Sequence, residues 1–196
     1  MRRGRNWNLG CSAGLPAGCS AGLPTRASRP RAEICHPERV MKLGIISDTH
    51  GLLRPEVAPA LAGADRILHL GDVGKLSILD ELNKIAPVTA VRGNVDRDGP
   101  CATLPETEVV LIEGRYVYML HDLKTLHLDP AAGKFAAVLH GHTHVPNFFT
   151  KKGVLYFNPG SCGPRRFNLP VTLGMLTLDQ HGEFEAQVVY LEQAPM

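Results

Sequence analysis

Closely paired cysteines are missing from this chain: its five Cys, at 11, 19, 35, 101 and 162, contain no CxxC spacing. In 196 residues they suggest no disulfide framework either, so a reducing cytoplasm is the expected location. Long apolar runs are also lacking. Nothing approaches the ~20 residues that cross a bilayer, which excludes an integral helical membrane protein. Residues 1–40 contain no lysine and no apolar stretch of the kind a secretory signal needs. A broad basic face is absent as well. The overall charge of +2 divides into +5 for residues 1–40 and −3 for the rest. The mildly acidic body disfavours nucleic-acid binding.

Otherwise the composition, 44% hydrophobic and 20% charged, is that of a globular protein with one core. The first 40 residues stand apart, with seven Arg, recurrent Gly and Pro, and the near-repeat CSAGLPAG-CSAGLP. Such a segment suits neither helix nor strand, and its Gly and Pro suit the amphipathic helix of a transit peptide poorly. The expectation is disorder, or upstream sequence with Met41 as the natural start. Residues 41–196 then form the single domain.

From Met41 the pattern is regular. Strands are expected at 42–47, 67–70 and 88–91, with helices at 55–62 and 75–85 between them. That β-α-β-α-β order predicts a parallel sheet with right-handed crossovers. Hairpin-like strands follow at 107–113 and 115–120. Further strands are expected at 135–140, 146–150, 154–157, 171–178 and 184–191. Two packed sheets with helices outside are therefore expected.

Five short motifs each follow an apolar run: Asp48-Thr49-His50, Gly71-Asp72, Gly93-Asn94, His121, and the GHTH stretch with His142 and His144. A residue just past the carboxyl end of a strand sits where open α/β sheets bind ligands. The donors are carboxylate, amide oxygen and imidazole, a set that suits divalent first-row metals. His142 and His144 alternate through Thr143, so an extended segment would present both on one side; a sharp loop would serve equally. Isolated histidines at strand ends are more often structural, and His69, His127, His140 and His181 are read that way.

The ordered series DTHG, GD, GNxD, His, GHTH and NPGS resembles the calcineurin-like metallophosphoesterases. It is most similar to their small bacterial and archaeal phosphodiesterase branch, to which the retromer subunit Vps29 is related. The resemblance spans about residues 41–192. It implies a four-layer αββα sandwich of two mixed sheets, with two divalent metal ions at one rim. Manganese is the first expectation, with nickel, iron, zinc or cobalt as substitutes. Asp48, His50 and His144 would bind one metal, Asn94, His121 and His142 the other, and Asp72 would bridge both. A hydroxide activated by the metals would attack phosphorus, with Asn94 helping to stabilise the phosphate charge.

Asp96 completes GNxD and is expected to orient a ligand from behind. Arg165 and Arg166, after the NPGS turn, are candidates to grip phosphate or to form surface ion pairs. Two positions depart from the pattern. Val95 stands where many relatives keep a His able to protonate the leaving group, and Asp122 stands where many have Gly. The implied partner is a small or nucleotide-like phosphodiester, with no membrane and with homo-oligomerisation left open. The same resemblance admits two alternatives, a phosphomonoesterase and a Vps29-like protein-binding scaffold.

Overall fold

The computed structural model describes residues 40–179 and 182–192. The expectation for residues 1–40 therefore falls, but for Val40, outside the described residues, as does His181. The described chain builds ten strands and two short helices. In order these are β1 (Met41–Ile46), α1 (Val57–Ala60), β2 (Arg66–His69), α2 (Leu76–Asn83) and β3 (Val88–Ala90). There follow β4 (Thr107–Ile112), β5 (Arg115–Leu120), β6 (Phe135–Leu139), β7 (Asn147–Lys151) and β8 (Val154–Asn158). The described chain closes with β9 (Val171–Leu178) and β10 (Phe184–Glu192).

The strands form two mixed five-stranded sheets, ordered β10-β9-β1-β2-β3 and β4-β5-β6-β8-β7. Each sheet contains a parallel triple: β1, β2 and β3, ending at the edge, in one, and β5, β6 and β8, in the middle, in the other. Antiparallel strands flank the second triple on both sides and the first on the β1 side alone. Register brings Ile46 level with His69, so β1 and β2 end side by side and their loops emerge together.

Alternation along β1 explains the packing. Leu43 and Ile45 point between the sheets, where they meet Leu68, Leu70, Val117, Met119, Leu139 and Phe157. Ile46 points the other way, into a second core with Val57, Leu61, Ile78 and Leu82 beneath the helices. Burial of such side chains contributes about 1.5–3 kcal/mol each. The outer face of the second sheet carries a thinner layer. There Leu120, Val138, Val154 and Tyr156 pack under Leu123 and Leu126 of the loop after β5, which contains a single 3-10 turn, Leu123–Thr125.

Both helices are shorter than the sequence pattern suggests. Gly63, at φ 80°, turns the chain away after α1. In α2 the buried stripe runs through Ile78 and Leu82, and Leu76 faces out. No helix among the described residues is long and apolar enough to cross a membrane.

Candidate metal centre

All six parallel strands end at one rim, and each delivers a motif there. β1 leads to Asp48 and His50, β2 to Asp72, β3 to Asn94, β5 to His121, β6 to His142 and His144, and β8 to the NPGS turn. The chain turns sharply as it leaves these strands. Asp48, His50, Asp72, His142 and His144 all adopt positive φ, between 47° and 72°. Asp and His tolerate this left-handed region better than most residues, though it still costs of the order of 1 kcal/mol each. His142 and His144 therefore lie on a sharp loop, not on an extended segment.

Neighbouring loops lock one another. The amides of Asp48, His50 and Gly51 donate to the carbonyls of Gly71, Asp72 and Val73. Gly141 donates to the His121 carbonyl, and the Ser161 hydroxyl donates to the Asp48 carbonyl across the sheets. At Gly93 a β-carbon would collide with Asp72 Oδ1, so only glycine lets the third loop approach the second. Gly160 of the NPGS turn has φ 82° and no room for a β-carbon beside Thr172 Oγ1.

The first cluster joins Asp48, His50 and His144. Asp48 Oδ2 accepts from the Ser47 hydroxyl at 2.6 Å and the His142 amide at 3.1 Å. Its Oδ1 is buried without a hydrogen bond, facing His144 Nε2 at 3.1 Å and His50 Nε2 at 3.8 Å. The two imidazole Nε2 atoms lie 3.4 Å apart.

The second cluster joins Asn94, His121 and His142. His121 Nδ1 lies 2.7 Å from the Leu70 carbonyl, which can only accept, so that nitrogen carries the proton. His121 Nε2 then turns its lone pair toward Asn94 Oδ1 at 3.1 Å and Asp72 Oδ2 at 3.4 Å. His142 Nδ1 approaches the same Asn94 oxygen at 3.0 Å. Asp72 Oδ2 lies between the clusters, 3.8 Å from His50 Nε2, while its Oδ1 accepts the Val95 amide.

Electron-rich atoms facing one another at these distances repel unless a proton or cation lies among them. The donors are hard oxygens and imidazole nitrogens, so the residues present fit divalent first-row cations. Two overlapping clusters could each hold an ion: Asp48, His50 and His144, and Asp48, Asp72 and His121. The second differs from the set implied by resemblance in including Asp48 beside Asp72; the Asn94 oxygen completes that side.

Protonation follows the same crowding. Burial works to raise the Asp48 and Asp72 pKa values, but the adjoining histidines and, at Asp72, the Val95 amide outweigh it and hold both below the usual value. Burial works to lower the His121 pKa, yet the Asp72 and Asp48 carboxylates leave it raised. The half-buried His50 is lowered, chiefly by desolvation.

Supporting residues surround these donors. Asp96 is buried and accepts from the amides of Val73, Gly74 and Gly93, fixing two of the loops. His69 accepts from the Gly71 amide, and its other nitrogen meets Thr49 Oγ1 at 3.0 Å, while that hydroxyl donates to the Val73 carbonyl. Burial pushes the His69 pKa down to about 4, so the ring stays neutral and braces the loops. His140 is also buried, with its pKa lowered by desolvation. The Cys162 thiol, pushed up to about 12 by burial, remains protonated.

The two arginines are not equivalent. The exposed Arg166 places Nη2 3.2 Å from His50 Nε2, whereas Arg165 is half-buried. The side chain of Val95 is exposed, and Asp122 Oδ2 stands 3.8 Å from His142 Nε2. A cleft of about 590 Å³ opens from Asn94, His121 and His142, lined by Arg92, Arg97, Tyr118 and His127 among others. Nothing in the motif spacing signals these cleft residues, because they come from strand β5 and two loops without a shared pattern.

On this architecture, such a rim is a candidate centre for divalent metal ions. The calcineurin-like phosphoesterase superfamily domain matches residues 41–181, and the chain belongs to that family. It is 31% identical over 166 residues to a probable metallophosphoesterase of Methanocaldococcus jannaschii, covering 78% of this chain and 83% of that one. It is likewise 31% identical over 168 residues to the phosphodiesterase YfcE of Escherichia coli K12, covering 71% and 89%. The solved structure of Vacuolar Protein Sorting 29 from Cryptosporidium parvum shares the fold, with TM-score 0.62 at 19% identity, covering 79% and 99%.

Proposed function

We propose that this chain is a dinuclear metal-dependent phosphodiesterase acting on small or nucleotide-like phosphodiesters. The observation that carries this reading is the convergence of seven donor side chains from five strand ends, their electron-rich atoms facing one another at 3.0–3.8 Å. Asp48, His50 and His144 would hold one ion, Asn94, His121 and His142 the other, and Asp72 both. Divalent cations held by these residues would supply Lewis acidity, activating water near neutral pH and offsetting the charge of the phosphate.

The chain's own groups do the positioning. Asp72 Oδ1 is fixed by the Val95 amide, so Oδ2 is held between the clusters. Asn94 turns its oxygen to His121 and His142, which leaves its amide NH₂ to donate to a phosphate oxygen. Arg166 beside His50 supplies positive charge at the far side of the same rim. Asp96 keeps the loops of Asp72 and Asn94 in register from behind.

The open cleft beside Asn94 leaves room for a second ester arm, which favours a diesterase over a monoesterase. A scaffold reading rests on fold likeness alone and gives the seven-donor rim no task.

With manganese supplied, the protein is expected to hydrolyse bis(p-nitrophenyl) phosphate. Asp72→Ala or Asn94→Ala should reduce turnover by about 10³-fold, the scale of losing several kcal/mol of charge stabilisation. A protein beginning at Met41 should match the full chain. Failure to bind any divalent ion, with no turnover, sinks the enzyme reading.

A further inference from the structure

We propose that the cleft leading outward from Asn94, His121 and His142 receives the non-leaving arm of the phosphodiester, and that this arm is a nucleoside bearing a second anionic group taken by Arg97. The assignment rests on the phosphodiesterase reading and names the substrate class of that site.

Size comes first. At about 590 Å³ the cleft far exceeds a phosphate and falls within the range of small-ligand pockets. Its inner end is formed by the second cluster of donors, so a phosphate held there points one substituent into it.

Charge comes next. Arg92 is spent within the protein, 2.6 Å from Glu106 and donating to the Ala102 carbonyl. Asp122 faces His142 and accepts the Lys124 amide. Arg97 is exposed at the wall and makes no hydrogen bond or ion pair with any described residue. It is thus the uncompensated cation of the cleft, and a guanidinium suits a terminal phosphate through two parallel hydrogen bonds.

The remaining wall suits a nucleoside. The half-buried Tyr118 ring is held edge-on by Phe135 at 5.3 Å, and Leu128 adds an exposed apolar side chain. A ring already fixed in place can stack on a planar base at little entropic cost. Thr107 and Thr125 offer hydroxyls within the same cleft.

The test compares thymidine 5′-(p-nitrophenyl phosphate) with its 3′-phosphorylated counterpart, using the manganese-loaded full chain. The 3′-phosphate should lower KM about tenfold, the effect of one charge-assisted contact. Arg97→Gln should erase that preference while leaving kcat, and KM for the unphosphorylated ester, unchanged; Arg97→Lys should keep part of it. Tyr118→Leu should raise KM for both thymidine esters and leave methyl p-nitrophenyl phosphate unaffected. In parallel, equilibrium dialysis against thymidine 3′,5′-bisphosphate without added metal should show about tenfold weaker binding by Arg97→Gln.

Turnover of both esters with no dependence on Arg97 overturns the cleft assignment alone. Arg97-dependent binding with turnover of neither ester overturns the phosphodiesterase reading and retains the nucleotide cleft. An equal effect of Tyr118→Leu on all three esters overturns the stacking role.

Discussion

The side of the rim built from Asp48, His50 and His144 is walled in, whereas the side built from Asn94, His121 and His142 opens onto the cleft. The contrast is sharpest between the two histidines of the GHTH loop. The His144 side chain is 4% exposed and the His142 side chain 38%. Both leave β6 on the same loop, two residues apart, with positive φ at each. The loop thus sends one imidazole inward to a carboxylate already held by Ser47, and the other outward to an amide that keeps a free NH₂. One imidazole is shut away from solvent and the other faces it.

That contrast predicts unequal sites, and breaking it at the histidines gives the largest effect. His144→Ala removes the buried imidazole and leaves Asp48 Oδ1 exposed to a cavity. It should weaken the tighter of two manganese-binding events by at least ~100-fold, the upper range for disturbing a metal's surroundings. His142→Ala, at the solvent side, should weaken only the looser event, by about tenfold. Metal titration of both variants by calorimetry checks this. Equal losses on both events would mean that the two sides are not distinct.

A smaller effect tests the bracing behind the walled-in side. His69, neutral and buried, holds the loop of Thr49 against that of Gly71. Its folded pKa of about 4 lies below the ordinary 6.5, so the unfolded chain takes up the proton first as pH falls. Stability from this group is therefore complete above pH 6.5 and is lost progressively down to about pH 4, by up to ~3 kcal/mol. His50 and His140, also lowered, act in the same direction. His121, raised, opposes them, and its contribution is present at low pH. Asp48 and Asp72, held low, stay charged over this window. Urea unfolding of the metal-free protein at pH 7 and 4.5 should show the loss, and His69→Gln should shrink it. A pH dependence as steep in His69→Gln as in the parent would rule out His69 as its source.

Much of this could be read in the sequence, for a physical reason. Strands buried on both faces read as apolar runs, and the donor that follows each run marks its carboxyl end. Asp48, Asp72, Asn94, His121 and His144 were therefore visible as a series, and the assigned strand limits lie within a residue or two of those found. The helices were less legible. Gly63 turns the chain away after α1, and in α2 burial falls on Ile78 and Leu82 while Leu76, the first residue of the helix, stays exposed. The left-handed backbone at five of the donors left no trace, since Asp and His carry no required φ. Nor did the cleft. Arg97, Tyr118 and His127 meet only after β3, β5 and the loop beyond β5 have been placed, so nothing in their spacing joins them.

The smallest expected effect concerns the open side alone. Val95 follows Asn94, and its amide donates to Asp72 Oδ1 at 3.0 Å while its side chain stands 48% exposed. A substitution there keeps the amide and changes only what faces the leaving group. Val95→His should raise kcat/KM for diesters with poor alkoxide leaving groups by about tenfold, short of the 10²–10⁴ that a well-positioned acid contributes. Esters of p-nitrophenol, whose leaving group departs without a proton, should change little. Steady-state rates for one diester of each kind, measured across pH, separate the two outcomes. A gain confined to the alkoxide ester, with a new falling limb above the histidine pKa, shows that the open side lacks only an acid. An equal change for both esters would place the effect in metal or substrate binding, and the difference between the two sides of the rim would then not extend to the chemistry of the leaving group.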